Sequence, residues 1–117
     1  MTVEEFYEKI NADYQDVIRR LVNKKVVDRI IVKFQDDPTF NELQQSIEQK
    51  DYDTAFRASH TLKGTSANLG FTKLYDSSNI LTESLRHKVY DNLETEYQQV
   101  VNDYQEILTY LKEVKVD

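Results

Sequence analysis

The fold is decided by residues 51–70, which read DYDTAFRASHTLKGTSANLG. Small or apolar side chains recur in this stretch in steps of three and four, the spacing that places residues on one face of an α-helix. They are Tyr52, Ala55, Ser59, Leu62, Ser66 and Leu69. Asp51 is a residue type that begins helices, and Gly70 is the type that ends them. The stretch therefore predicts one long helix with a core-facing stripe.

Helical spacing continues on both sides of this stretch. Toward the N-terminus a shorter stripe extends from Tyr14 to Val22, and toward the C-terminus a long one extends from Leu93 to Val114. Pro38 separates the early helices from the later ones, because proline fits a first helical turn but not a helix interior. Short connections make neighbouring helices antiparallel. We therefore predict an all-α fold, an antiparallel up-and-down four-helix bundle with additional short N-terminal helices.

The length and composition agree with one helical domain. Only two glycines and one proline occur among 117 residues, too few for the turns of an all-β sandwich or barrel. We expect a single domain over residues 1–117, with the bundle proper at about 38–117 and flanking helices at about 2–36.

Charge and residue usage exclude several classes of function. A net charge of −6 argues against a nucleic-acid-binding protein. The chain has no cysteine, which excludes disulfides and zinc–thiolate sites. No apolar run approaches the roughly 20 residues that cross a bilayer, and the acidic N-terminus does not resemble a signal peptide. We therefore expect a cytoplasmic protein that does not bind membranes.

One residue in the decisive helix conflicts with helix stability. Gly64 lies inside the helical periodicity, where glycine costs about 0.8–1 kcal/mol relative to alanine. His60, Lys63 and Ala67 share its stripe, which is rotated by about 100° from the core stripe and should lie at the edge of the bundle or outside it. A glycine beside an exposed imidazole lets another protein approach closely. Two alternatives remain at this point: His60 is an ordinary surface histidine, or Gly64 permits close helix–helix packing.

The chemistry that this stripe suits is phosphoryl transfer through histidine. An imidazole with an ordinary pKa near 6.5 is mostly neutral and nucleophilic at pH 7, and Lys63 supplies a cation for the phosphoryl group. The sequence has no phosphate-cradling glycine-rich loop, no kinase motif set and no evident acidic metal cluster. The remaining catalytic groups are therefore expected on a partner.

Residues 59–71, SHTLKGTSANLGF, resemble the signature of histidine-containing phosphotransfer (HPt) domains, which has a His-x-x-Lys-Gly core followed by a small residue and a later glycine. The helical pattern, the length and the acidic charge fit the same family. The resemblance implies that His60 accepts the phosphoryl group, that Lys63 assists it, and that Gly64 leaves room for the partner. It also implies that the chain is a phosphocarrier without kinase or phosphatase activity of its own.

The same resemblance suggests partners and further site residues. The expected partners are a response-regulator receiver domain and an upstream hybrid histidine kinase. The receiver is expected to supply the acceptor aspartate and Mg²⁺. The chain itself is expected to need no cofactor or metal and to be a monomer. Ala67 and Arg86 are candidate contacts to the receiver, although Arg86 also suits a helix C-terminus. Many members orient the imidazole with a glutamine, and the candidates here are Thr82, Asn79 and Glu83.

Two other functions remain open from the sequence. The chain could be a helical adaptor that binds receivers or kinases without carrying phosphate. It could also be the phospho-acceptor domain of a chemotaxis-type histidine kinase. A metal site formed by His60 and His87 is disfavoured, because no further ligands cluster with them.

Overall fold

The computed structural model describes residues 1–21 and 23–115. Two parts of the predicted elements lie outside the described residues. They are Val22, in a predicted apolar stripe, and residues 116–117, at the end of the predicted bundle. The described segments form seven α-helices, one short 3₁₀ turn and no β-strand, so the all-α prediction is confirmed. The helices are α1 (Val3–Lys9), α2 (Tyr14–Leu21), α3 (Lys24–Lys33), α4 (Thr39–Glu48), α5 (Tyr52–Leu69), α6 (Thr72–Arg86) and α7 (Leu93–Leu111), with the 3₁₀ turn at Phe34–Asp36. None of these helices is both long and apolar enough to cross a membrane.

Helices α4 to α7 form the predicted antiparallel bundle. The middle of α5 pairs with the middle of α6, where the Ser59 hydroxyl donates to the carbonyl oxygen of Ser78 at 3.1 Å. The start of α6 pairs with the second half of α7 through an ion pair of Lys73 and Glu106 at 3.5 Å. Phe40 of α4 stacks on Tyr104 of α7 with ring centres 4.0 Å apart, which closes the ring of four helices. Each connection between them is short, as antiparallel neighbours require.

The bundle core is built from the stripes that the spacing predicts. In α5 the residues Ala55, Ser59, Leu62, Ser66 and Leu69 are buried, and Tyr52 is half-buried. Buried leucines of α6 and α7 face them. Removal of this apolar surface from water is the main force that holds α5 in place and fixes which of its faces points outward.

The N-terminal helices cover the end of the bundle at which α5 meets α6. The Tyr7 hydroxyl of α1 donates to the carbonyl oxygen of Leu69 at 2.6 Å, and burial raises the pKa of Tyr7. The Tyr7 ring lies in an aromatic cluster with Phe6 and Phe71, with ring centres about 6 Å apart. The division into a bundle at about 38–117 and flanking helices at about 2–36, within a single domain, stays a prediction.

Both ends of α5 are held by the residues that the sequence indicates. Asp51 accepts hydrogen bonds from the backbone nitrogen of Thr54 at 3.2 Å and from its hydroxyl at 2.7 Å, and these bonds hold the pKa of the Asp51 carboxyl below its usual range. Gly70 ends the helix with a left-handed φ of 71°. A Cβ at Gly70 would lie 2.7 Å from Cγ2 of Val17 on α2, so this position requires glycine for two reasons.

We expect Gly70→Ala to lower the free energy of unfolding by about 2–3 kcal/mol, because alanine is strained in the left-handed region and overpacks against Val17. Urea denaturation followed by circular dichroism measures the change. Gly64→Ala is the matched control, and it should gain up to about 1 kcal/mol because a Cβ there meets no atom within 4 Å. Equal effects of the two substitutions would contradict this account of Gly70.

Candidate functional site

The outer face of α5, called the His60 face below, presents His60, Lys63, Gly64 and Ala67, the residues that the sequence singles out. His60, Gly64 and Ala67 are exposed, while their neighbours Ser59 and Ser66 are fully buried. The predicted rotation between the two stripes is therefore confirmed. Because the backbone of α5 is fixed by the core on its other side, the imidazole of His60 is presented to solvent from a rigid helix.

Gly64 has no internal packing role. A Cβ built on it meets nothing within 4 Å, which is open space. The alternative that Gly64 permits close helix–helix packing is therefore wrong, because no helix of the described chain approaches it. The glycine weakens an exposed helix interior without any compensating contact inside the protein.

Lys63 lies three residues after His60, beside the same face. Its side chain is half-buried and forms no ion pair with any described residue. A lysine ammonium on a flexible four-carbon stem is a mobile point charge. The cation is thus available to an anion that arrives on the neighbouring imidazole.

The structure also brings Arg86 of α6 to this face. Phe56, one helical turn before His60, has its ring centre 6.0 Å from the imidazole centre. The guanidinium carbon of Arg86 lies 5.0 Å from the same Phe56 ring centre, a cation–π distance. Glu83 accepts from Nε of Arg86 at 3.2 Å and lies 3.5 Å from Nε2 of His87. Phe56 was missed by the sequence reasoning, although its spacing of four from His60 is the signal that could have identified it.

The three candidates for orienting the imidazole form no hydrogen bond with His60. Thr82 is fully buried, and its hydroxyl donates to the carbonyl oxygen of Ser78 at 2.6 Å and lies 2.6 Å from Oγ of Ser59. The hydroxyl is therefore used inside the contact between α5 and α6, which argues against Thr82 as the orienting group. Asn79 is half-buried on α6, and Glu83 is engaged with Arg86 and His87. For Asn79 and Glu83 the orienting role stays a prediction.

We expect Thr82→Val to lower the free energy of unfolding by about 1 kcal/mol, since it removes buried hydrogen bonds at nearly constant volume. Phosphorylation of the protein should be unchanged. Chemical denaturation and a phosphotransfer assay on the same preparation measure the two quantities. If Thr82→Val loses phosphotransfer while its stability is unchanged, Thr82 does orient the imidazole, and this account of its hydroxyl is wrong.

Beyond Ala67 the exposed face of α5 continues into a depression of about 290 Å³ beside α2. Ala67 lines it from α5, Gly70 from the turn after α5, Tyr75 from α6, and Asp16 and Arg20 from α2. The Arg20 guanidinium donates to Asp16 at 3.0 Å and holds the pKa of that carboxyl below its usual range. The N-terminal helices thus extend the surface that a partner over His60 would meet.

Chemically, the face offers an accessible nucleophile, a nearby cation and steric clearance. Among residues 1–21 and 23–115, no three His, Cys, Asp or Glu side chains cluster in a way that could hold a metal ion. The arrangement can hold a phosphoryl group on an imidazole nitrogen, with a cation beside it that offsets the negative charge.

Comparison with known proteins identifies the family. The family model of the Hpt domain matches residues 36–113, which is two-thirds of the chain. Searches of curated proteins and of solved structures gave no match. Hpt domains are helical phosphocarrier modules that transfer phosphoryl groups through histidine in two-component phosphorelays, with kinases and receivers as partners. The match includes the whole His60 face and all four helices of the bundle, and the chain therefore belongs to the Hpt domain family.

Proposed function

We propose that the chain is a phosphorelay intermediate that accepts a phosphoryl group on His60 and exchanges it with the aspartate of a response-regulator receiver domain. The observation that supports this most strongly is the open space at Gly64, one helical turn from the exposed imidazole. A receiver has to bring its aspartate within bonding distance of the histidine, and the bare helix surface at Gly64 leaves room for that approach.

In the proposed step, a neutral nitrogen of the His60 ring attacks the phosphorus of the receiver's aspartyl phosphate. The new N–P bond forms as the P–O bond to the aspartate breaks, and the carboxylate leaves with the bonding electron pair. The ring then releases the proton of its other nitrogen to solvent. In this proposal Lys63 offsets the negative charge of the phosphoryl oxygens during and after the transfer. The reverse sequence returns the phosphoryl group to a receiver.

The partner is proposed to supply the groups that this chain does not provide. These are the reacting aspartate and the Mg²⁺ that neutralises charge in phosphoryl transfer. The chain would then act as a cytoplasmic monomer without catalytic activity or cofactor of its own, downstream of a hybrid histidine kinase. Ala67 and Arg86 would contact the receiver at either end of the His60 face, since both border it.

The test is incubation of the protein with phosphorylated receivers from the same cell in the presence of Mg²⁺. We expect an acid-labile, alkali-stable phosphate on the protein and matching loss from at least one receiver, because phosphohistidine has that stability. The absence of any transfer across the panel would contradict the proposal.

The same assay separates the two alternatives. A receiver complex that forms without labelling and survives His60→Ala indicates a helical adaptor instead of a phosphocarrier. Labelling by a kinase's ATP-binding domain with no transfer from any receiver indicates the phospho-acceptor domain of a chemotaxis-type kinase.

A further inference from the structure

The basic residues of the chain are concentrated in one segment. Residues 19–33 contain six Lys or Arg and one Asp, a net charge of +5 in a chain whose total is −6. The remainder holds nine basic and twenty acidic residues, a net charge of −11. This segment spans the end of α2 and the whole of α3, and of its basic residues only Arg20 lines the depression beyond Ala67.

Three of these cations form a ridge along α3. Lys25, Arg29 and Lys33 follow one another at a spacing of four, so they lie on one side of the helix about 6 Å apart along its axis. Like charges at this spacing destabilise a helix. None of the three forms an ion pair with a described residue, and all three are exposed.

The ridge borders a groove of about 720 Å³. Its other sides are the start of α1 at Thr2 and Val3 and the segment after α7 at Lys115. Backbone hydrogen bonds hold these sides together, with the Lys115 nitrogen donating to the carbonyl oxygen of Met1 at 3.1 Å. The groove is therefore a built surface of three chain segments.

Among the described residues that line the groove, the one carboxylate is already neutralised. Asp28 is buried and accepts from the Tyr14 hydroxyl at 2.7 Å and from Nζ of Lys24 at 2.6 Å. Lys24 is thereby also paired. The charge that the groove presents outward comes from Lys25, Arg29 and Lys33, with Lys115 beside them.

The surroundings of the groove decide between the possible anionic ligands. A membrane surface or a long nucleic acid would extend beyond the groove over the remainder of the protein, which carries −11, and would be repelled there. A narrow polypeptide seated in the groove meets less of that acidic surface than either of these extended ligands does. Carboxylates repeated at a spacing of four on a helix match the repeat of the cation ridge.

We propose that this α3 groove binds an acidic helical segment of a partner protein, with Asp or Glu at every fourth position facing Lys25, Arg29 and Lys33. The contact tethers a partner at a surface that shares no residue with the His60 face. The tether is therefore compatible with phosphotransfer at His60 and independent of it.

The experiment measures binding of a fluorescent helical peptide with glutamate at every fourth position, using fluorescence anisotropy. The salt concentration is about 150 mM, because charges more than about 8 Å apart are then screened. The test variant replaces Lys25, Arg29 and Lys33 with glutamine, which removes the repulsion within α3 and so should not impair folding. The matched control variant replaces Lys9, Lys50 and Lys88, three exposed lysines elsewhere, with glutamine.

We expect binding to weaken by about tenfold or more in the groove variant and to be retained in the control variant. A peptide of the same composition without the spacing of four should bind more weakly. Phosphorylation of His60 in the wild-type protein should leave the affinity for the helical peptide unchanged. Equal binding by the two triple variants overturns the proposal. Tighter binding of RNA or of anionic lipid vesicles through the same three residues also overturns it, as does self-association that the groove variant abolishes.

Discussion

His60→Gln should reduce labelling of the protein by a phosphorylated receiver to background, a loss of about a thousandfold or more, because it removes the exposed imidazole that is proposed to attack the phosphorus. Glutamine keeps an exposed polar side chain at this position and has no ring nitrogen to form the N–P bond. The measurement is radiolabel or mobility-shift detection of phosphoprotein after a timed reaction with Mg²⁺.

The matched control for this loss is His87→Gln, which changes the chain's other histidine. His87 lies at the end of α6, is exposed and contacts Glu83, so its substitution leaves the α5 face intact. We expect the control to accept phosphate at the wild-type rate. Labelling that persists in His60→Gln, or that disappears in His87→Gln, is incompatible with the proposed acceptor.

Gly64→Glu should slow phosphotransfer by about a hundredfold or more, equivalent to about 2.7 kcal/mol in the transition state. The new side chain enters the open space beside the imidazole, where it blocks the receiver and repels the phosphoryl group. Because no atom of the protein lies within 4 Å of the added Cβ, the fold should remain intact. The rate is measured under single-turnover conditions, with helix content checked by circular dichroism.

Two further variants serve as controls for Gly64→Glu. Gln105→Glu adds the same charge to the exposed side of α7 and should transfer at the wild-type rate. Gly64→Ala should raise stability and lower the transfer rate less than Gly64→Glu does, since it adds one methyl group. A rate unchanged in Gly64→Glu would show that close approach at residue 64 is not required.

The helix α5 shows how much of the site is predictable from sequence. Steps of three and four between apolar residues determine which face is buried, and this places His60 and Gly64 outside without knowledge of any neighbour. Asp51 and Gly70 mark the helix ends by local backbone chemistry alone. The fold class and the exposed His60 face follow from such local rules.

The contacts between helices do not follow from the same rules. The residue spacing within α6 does not predict that the Thr82 hydroxyl turns toward Ser59 instead of His60. That direction depends on how α6 is rotated about its axis relative to α5. The placement of Arg86 over Phe56 has the same origin. The α3 groove joins segments from both ends of the chain, so no local pattern reveals it.

The most direct test of the central claim is to locate the phosphate on the receiver-labelled protein. ³¹P nuclear magnetic resonance identifies the bond type, and fragmentation mass spectrometry of peptides prepared at alkaline pH identifies the residue. The account predicts a phosphoramidate on the imidazole of His60. A phosphate on His87, or on any residue other than histidine, would contradict it.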